Sequence, residues 1–403
     1  MTAPAGARRA AWVGAADAAR LLGVTRATLY AYVSRGYVRS QTSPRSPRER
    51  LYARDDLERL RQRTEARHAP DAAAAAALRW GLPILESSIA LIDGRRLYYR
   101  GLDAAVLARS RTLEEIAALV WTGGWQLPPP AAPLPAVPCP PGLPFVARAQ
   151  TMLAAAASRD ASAFDVRPAR VAAIGLPIVR LLVAAAIGRP GGHAAADAAL
   201  AGAWKVGSRG ADVVRAALVL SADHELNVSS FTARCVASAG SHPYAVVTAG
   251  LAALEGPRHG GAGARVESMF ESMRRAPRLT RALGDRLRRG EAIDGFGHPL
   301  YSEGDPRARL LLEILDDRYR AAPEYRFVAD VARAGAAATG EQPNLDFALA
   351  AVSRVLRLPA GAPLMLFAIG RSVGWIGHAI EQYGTGQLIR PRARYVGLAP
   401  REG

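Results

Sequence analysis

The chain has 403 residues, half of them hydrophobic, with no Gly-X-Y period and no long polar tract among its 38 Gly and 28 Pro, so a globular protein of two or three domains is expected. Its formal charge is +17 and Lys205 is the only lysine, so the cationic character is arginine, whose planar fork suits carboxylates and phosphates. Cys139 and Cys235 match no metal spacing and no disulfide framework, no apolar run with a cleavage site follows Arg8 and Arg9, and the stretch from Ile174 to Ile187, interrupted by Pro177 and Arg180, is too short to span a bilayer; a cytoplasmic protein is expected.

Charge is concentrated at the start. Residues 1–70 hold 14 Arg against 6 acidic residues, a surplus of 8 in about a sixth of the chain, and a basic end of this size points to nucleic acid. From Trp12, a short helix places Ala15, Ala18 and Leu22 on one face and ends at Gly23. Thr25 then caps a second helix that buries Leu29 and Val33 and stops at Gly36. Two short helices around a glycine-containing turn describe a helix-turn-helix, with Arg26, Thr28, Tyr30, Ser34 and Arg35 free on the second helix. Arg39, Arg45, Arg48 and Arg50 follow in a Ser/Pro-rich stretch suited to a basic wing, then a charged helix from Asp55 to Glu65.

Six alanines, Ala72 to Ala77, read as the start of a helix at a domain junction, and the prolines from Pro128 to Pro144 impose an extended surface loop. From about Leu78 to Gly403 the chain reads as helical throughout, with apolar positions recurring at three and four residues, as in Leu349, Val352, Val355 and Leu356. Lys205 lacks the glycine context of a phosphate-binding loop and no dinucleotide fingerprint follows a strand, which argues against nucleotide hydrolysis and hydride transfer.

Three histidines stand in unusual settings. His224 lies in Asp223-His224-Glu225-Leu226-Asn227, His259 in Gly256-Pro257-Arg258-His259-Gly260-Gly261, and His298 in Gly295-Phe296-Gly297-His298-Pro299. Flanking glycines let backbone amides and a ligand approach an imidazole closely, and a helix start near Ala262 would keep His259 neutral. Turn histidines with satisfied hydrogen bonds explain each one equally well, and the spacings give no metal site. Asp346, before a long apolar helix, is either an ordinary first-turn acid or a carboxylate made basic by Leu345 and Phe347. Arg307, Arg371 and Arg390 are either solvated or parts of a clamp on a dicarboxylate.

Residues 15–40, AADAARLLGVTRATLYAYVSRGYVRS, and the following RLYARDDLERL resemble the winged helix-turn-helix of the MerR and excisionase group. That resemblance implies DNA contacts by Arg26, Tyr30 and Arg35, the second helix entering the major groove. Farther on, IDGRRLYYRG, SADHELNVS, GPRHGG, GFGHPLYSEGDPRA, PNLDF and FAIGRSVGWIGH with IRPRARYVG resemble the citrate synthase family, in that family's order and spacing, from about Ser87 to Gly397. The resemblance implies an all-α, two-domain fold behind a small winged helix-turn-helix at residues 1–68 and a linker at 69–79, within a chain region of 80–403. Its large domain would comprise about 80–255 and 360–403, its small domain about 256–359, in a homodimer.

The same resemblance implies condensation of acetyl-CoA with oxaloacetate and water to citrate and CoA, with no cofactor beyond the CoA thioester substrate and no metal. It assigns His259 to the thioester carbonyl, Asp346 to the methyl proton, and His298 to the ketone. His224, Asn227, Arg307 and Arg371 would hold oxaloacetate, and Arg390 would reach the partner subunit's site. Two departures stand out: Gly263-Ala264 replaces the usual Asn-Glu, and Pro299 a frequent arginine. The alternatives are a 2-methylcitrate synthase using propionyl-CoA, which differs by about one methylene and 1–3 kcal/mol of pocket space, and a DNA-binding regulator that senses CoA or dicarboxylate.

Overall fold

The computed structural model describes residues 12–43, 46–58, 60–61, 85–129, 137–190, 194–393 and 395–398. The alanine run at 72–77, Arg45 and part of the proline-rich loop lie outside the described residues. The chain divides into two compact units, Met1–Glu86 and Ser87–Gly403.

In the first unit, β1 (Trp12–Gly14), α1 (Ala15–Leu22), α2 (Arg26–Ser34), β2 (Ser40–Ser43) and β3 (Ser46–Ala53) surround a small core of Ala18, Leu29, Val38, Tyr52 and Leu57. Gly23 ends α1 in the left-handed region at φ 63°, and Thr25 caps α2 by accepting a hydrogen bond from the amide of Thr28. The wing is the antiparallel β2–β3 pair, with β1 on the other edge of β3. A helical stretch at residues 54–58 carries Asp56, whose buried carboxylate binds Arg39 through Nε at 2.8 Å and Nη2 at 3.1 Å. Arg39 therefore braces the wing from within the unit.

The second unit begins with a three-stranded antiparallel sheet that sequence periodicity did not flag: β4 (Ala90–Ile92), β5 (Leu97–Tyr99) and β6 (Leu102–Asp103). Strands of two or three residues are too short to show alternation. The remainder is helical: α3 (Ala104–Ser110), α4 (Leu113–Thr122), α5 (Phe145–Ala157), α6 (Pro168–Ile187), α7 (Ala196–Trp204), α8 (Gly207–Leu220), α9 (Val228–Ser238), α10 (Pro243–Leu254), α11 (Ala262–Arg274), α12 (Leu279–Arg288), α13 (Pro306–Tyr319), α14 (Pro323–Thr339), α15 (Leu345–Leu356) and α16 (Ala362–Thr385). Lys205, exposed, closes α7 in the left-handed region at φ 56°.

The sequence reading broke the apolar stretch at Pro177 and Arg180, but α6 runs through both. Its 20 residues are long and apolar enough to cross a membrane, so the expectation of too short a span is corrected. The helix is a core element, because two-thirds (67%) of that apolar window is buried against its neighbours.

The spine of this unit is α16, whose glycines admit close neighbours. A Cβ on Gly370 would lie 2.4 Å from the Leu218 carbonyl oxygen, and one on Gly374 would lie 2.5 Å from the Ala222 carbonyl oxygen. The segment after α8 is therefore pressed onto α16, and the Gly374 amide donates to Ala222 O at 3.0 Å. That segment leads directly into His224.

Candidate active site

Four stretches of the second unit meet: residues 221–229 between α8 and α9, 256–261 before α11, 295–307 leading into α13, and the start of α15. The last two are sewn together by backbone. The Gly297 amide donates to Gln342 O at 2.9 Å, Asn344 donates from its amide to Gly295 O at 2.8 Å, and Asn344 Nδ2 donates to Gly297 O at 3.0 Å. Asn344 also caps α15, its Oδ1 accepting from the amides of Asp346 and Phe347. One asparagine thus fixes the His298 loop against the turn that presents Asp346.

His224 and His298 meet edge to face, with ring centroids 5.0 Å apart, and Tyr301 completes the cluster. The Tyr301 hydroxyl lies 2.9 Å from His224 Nε2. Burial, then Arg307, Arg371 and His298, holds His224 well below the usual imidazole range. Burial followed by Arg307 lowers His298 to about 4. The Leu300 amide donates to His298 Nδ1 at 3.2 Å, so the neutral ring carries its proton on Nε2 as a donor.

His259 lies just before α11, where the sequence places it. It is lowered to about 4, chiefly by burial and then by Arg371. Its Nε2 is 3.0 Å from Ser229 Oγ, which also receives the Trp375 indole N–H at 3.2 Å and lies 3.0 Å from Asn227 Oδ1. Ser229 thus has one proton and two acceptors in reach, and its choice sets the tautomer of His259. Asn227 spends its oxygen on capping α9 through the Ser230 amide, leaving Nδ2 as its remaining polar group.

Asp346 sits between buried Leu345 and Phe347, and its carboxylate accepts no hydrogen bond from the described residues. Burial raises it to about 6 despite the opposing pull of Arg307. Arg307 is buried and commits Nε and Nη2 to Asp305 at 2.9 and 2.8 Å, which leaves Nη1 for any ligand. Burial would raise Asp305 and lower Arg307, yet their mutual attraction outweighs it and reverses both directions.

Arg371 differs. It is fully buried, anchored only by Nε to Ser221 O at 2.8 Å, and its Nη1 and Nη2 have no hydrogen-bond partner. Phe367 lies 4.6 Å from its guanidinium carbon and 5.8 Å, centroid to centroid, from His259. Burial lowers Arg371 to about 10, opposed mainly by Asp223, so it stays a cation at neutral pH. A buried cation with two unpaired donors is a seat for an anion.

Arg390 is exposed beyond α16 and joins none of these contacts. In the first unit, Arg26, Tyr30 and Arg35 are all exposed on or at the end of α2. Among the described residues no cluster of three or more metal-binding side chains occurs. Sequence reasoning missed Asp305, Ser229, Tyr301 and the buried Asp223–His378 pair, 3.1 Å apart. All lie inside the quoted motifs, but only tertiary partners reveal their work.

A profile of the citrate synthase C-terminal domain matches residues 144–392, well over half of the chain, and one of MerR HTH family regulatory proteins matches residues 15–68. Citrate synthase 2 of Bacillus subtilis (strain 168) is 39% identical over 184 residues, 45% of this chain and 50% of that protein. The 2-methylcitrate synthase 1 of Corynebacterium glutamicum is 34% identical over 188 residues, 46% and 49% of the two chains. The matched part spans about half the length of these curated relatives. The citrate synthase of Thermoplasma acidophilum, solved in ternary complex with carboxymethyl coenzyme A and oxaloacetate, superposes with a TM-score of 0.65 at 25% identity, covering 80% of this chain and 96% of that one.

Proposed function

Because the chain belongs to the citrate synthase family, we propose that it condenses acetyl-CoA with oxaloacetate and water to citrate and CoA. The observation that carries the reading is Arg371, a buried guanidinium whose two terminal nitrogens lack partners. It offers one carboxylate of a small dianion a bidentate seat, and Arg307 Nη1 and His224 supply further donors.

The chemistry follows from the protonation states. Asp346, raised to about 6, is ionised at neutral pH yet basic for a carboxylate, and it takes a methyl proton from the thioester. Charge moves to the thioester oxygen. With the Ser229 proton turned toward its Nε2, neutral His259 donates from Nδ1 to that oxygen. His298 donates from Nε2 to the ketone of oxaloacetate while the enol carbon attacks, and water then hydrolyses the citryl thioester. Arg390 reaches across a homodimer to the partner's oxaloacetate, and the protein works in the reducing cytoplasm, where Cys139 and Cys235 stay free.

The acyl chain distinguishes two products, because relatives of both kinds match. Thiol release by the purified chain with oxaloacetate and either acetyl-CoA or propionyl-CoA tests this directly. Faster release with propionyl-CoA would replace citrate by 2-methylcitrate, and no release with either would overturn the enzymatic reading in favour of a sensor. The first unit favours a DNA partner, because Arg26 and Tyr30 on α2 and Arg35 at its C-terminal cap are each exposed in a unit that also carries a wing. Footprinting on DNA upstream of the protein's own coding sequence tests that part alone.

A further inference from the structure

We infer that Gln382 and Ser238 are positioning residues for Arg390, fixing the root from which it leaves its own subunit. The inference rests on the reading of Arg390 as a group delivered to the partner's site. Gly386, in the left-handed region at φ 61°, closes α16. Buried Gln382 then holds the chain that follows. Its Nε2 donates to Gln387 O at 2.8 Å and to Thr385 Oγ1 at 3.1 Å, while its Oε1 accepts from Arg234 Nε at 3.0 Å. Arg234 is itself buried and pairs with Glu381 at 3.4 Å.

Two residues farther on, the Ile389 amide donates to Ser238 Oγ at 3.1 Å, and that hydroxyl donates to Cys235 O at 2.7 Å. Backbone groups on residues 387 and 389 are thus pinned to the ends of α16 and α9, immediately before Arg390. The exposed Arg390 makes no hydrogen bond or ion pair with the described residues of its own subunit. A long side chain that must act in another molecule loses less freedom when its backbone root is already fixed. The other end of α9 carries Ser229, which contacts His259, so one helix joins a subunit's own site to the root of the arm it extends.

The test uses steady-state kinetics of the full chain. Ser238→Ala, which removes one hydrogen bond to the root, should raise KM for oxaloacetate about 3–10-fold, and Gln382→Ala, which removes three, at least as much, with KM for acetyl-CoA unchanged. Ser238→Thr keeps the acceptor and should stay near the parent value, which separates positioning from damage to the fold. In an Arg390→Ala background neither root variant should add a further increase, because both act through that arginine. Unchanged oxaloacetate KM in both root variants while Arg390→Ala raises it, or additive effects in the double variants, would overturn the inference. An Arg390→Ala variant with ordinary oxaloacetate KM would instead sink the reading of Arg390 itself, and the root with it.

Discussion

Asp305 joins Arg307 to the amide of Leu345: one oxygen accepts Nε at 2.9 Å, and the other accepts both Nη2 at 2.8 Å and the Leu345 N–H at 3.0 Å. One buried carboxylate therefore sets an arginine of the site and the turn that carries Asp346. Replacing it with alanine strands a buried guanidinium and should cost about 3–5 kcal/mol of stability. Urea unfolding of Asp305→Ala measures this, and a midpoint equal to that of the parent chain would contradict the account.

Asp346 caps nothing, since Asn344 Oδ1 receives the helix amides. Asp346→Ala should therefore fold normally while kcat falls by about 10²–10⁴, the usual worth of a positioned base. Thiol release together with a melting curve checks both halves of the statement.

The pH dependence has a definite sign. As pH falls through about 6, Asp346 takes up a proton and the base is lost, whereas His259 and His298 stay neutral until about 4. The acid limb of kcat/KM should be centred near 6. A limb centred near 4 would assign it to the imidazoles.

Gly370 permits the close packing that sets Arg371. A Cβ there would lie 2.4 Å from the Leu218 carbonyl oxygen and 2.8 Å from Ser221 Cβ, and Ser221 O is the anchor of Arg371. Gly370→Ala should lose about 1–3 kcal/mol by overpacking and raise KM for oxaloacetate more than KM for acetyl-CoA. Equal effects on the two constants would argue against this coupling.

Arg26→Ala, at the start of α2, and Arg35→Ala, at its C-terminal cap, both exposed, should leave condensation unchanged and weaken DNA binding. If each side chain neutralises one phosphate, the salt slope should fall by about 1 per substitution. Titrations at several salt concentrations measure that slope.

Local chemistry was legible where it is written within a few residues. Thr25, Gly23 and the glycines around His259 announced caps and turns that the chain forms. The short β4–β6 sheet was not, because two or three residues carry no period. Nothing local marks Ser229, because its link to His259 spans 30 residues. His378 and Asp223 meet across 155 residues, and the choice between a solvated Arg307 and one in a clamp turns on Asp305, which occupies two of its nitrogens inside the core. Such assignments depend on packing around α16, which no local pattern reports.

Lys205, the exposed closing residue of α7, has a consequence for chemical durability. Thioesters acylate free amines without help, and an enzyme that concentrates them exposes its own lysines to that side reaction. Guanidinium groups keep their charge and are poor nucleophiles. With arginine in place of every other lysine, this chain offers a reactive acyl donor a single side-chain amine, so its cationic surface should age slowly in the presence of the substrate it is proposed to consume.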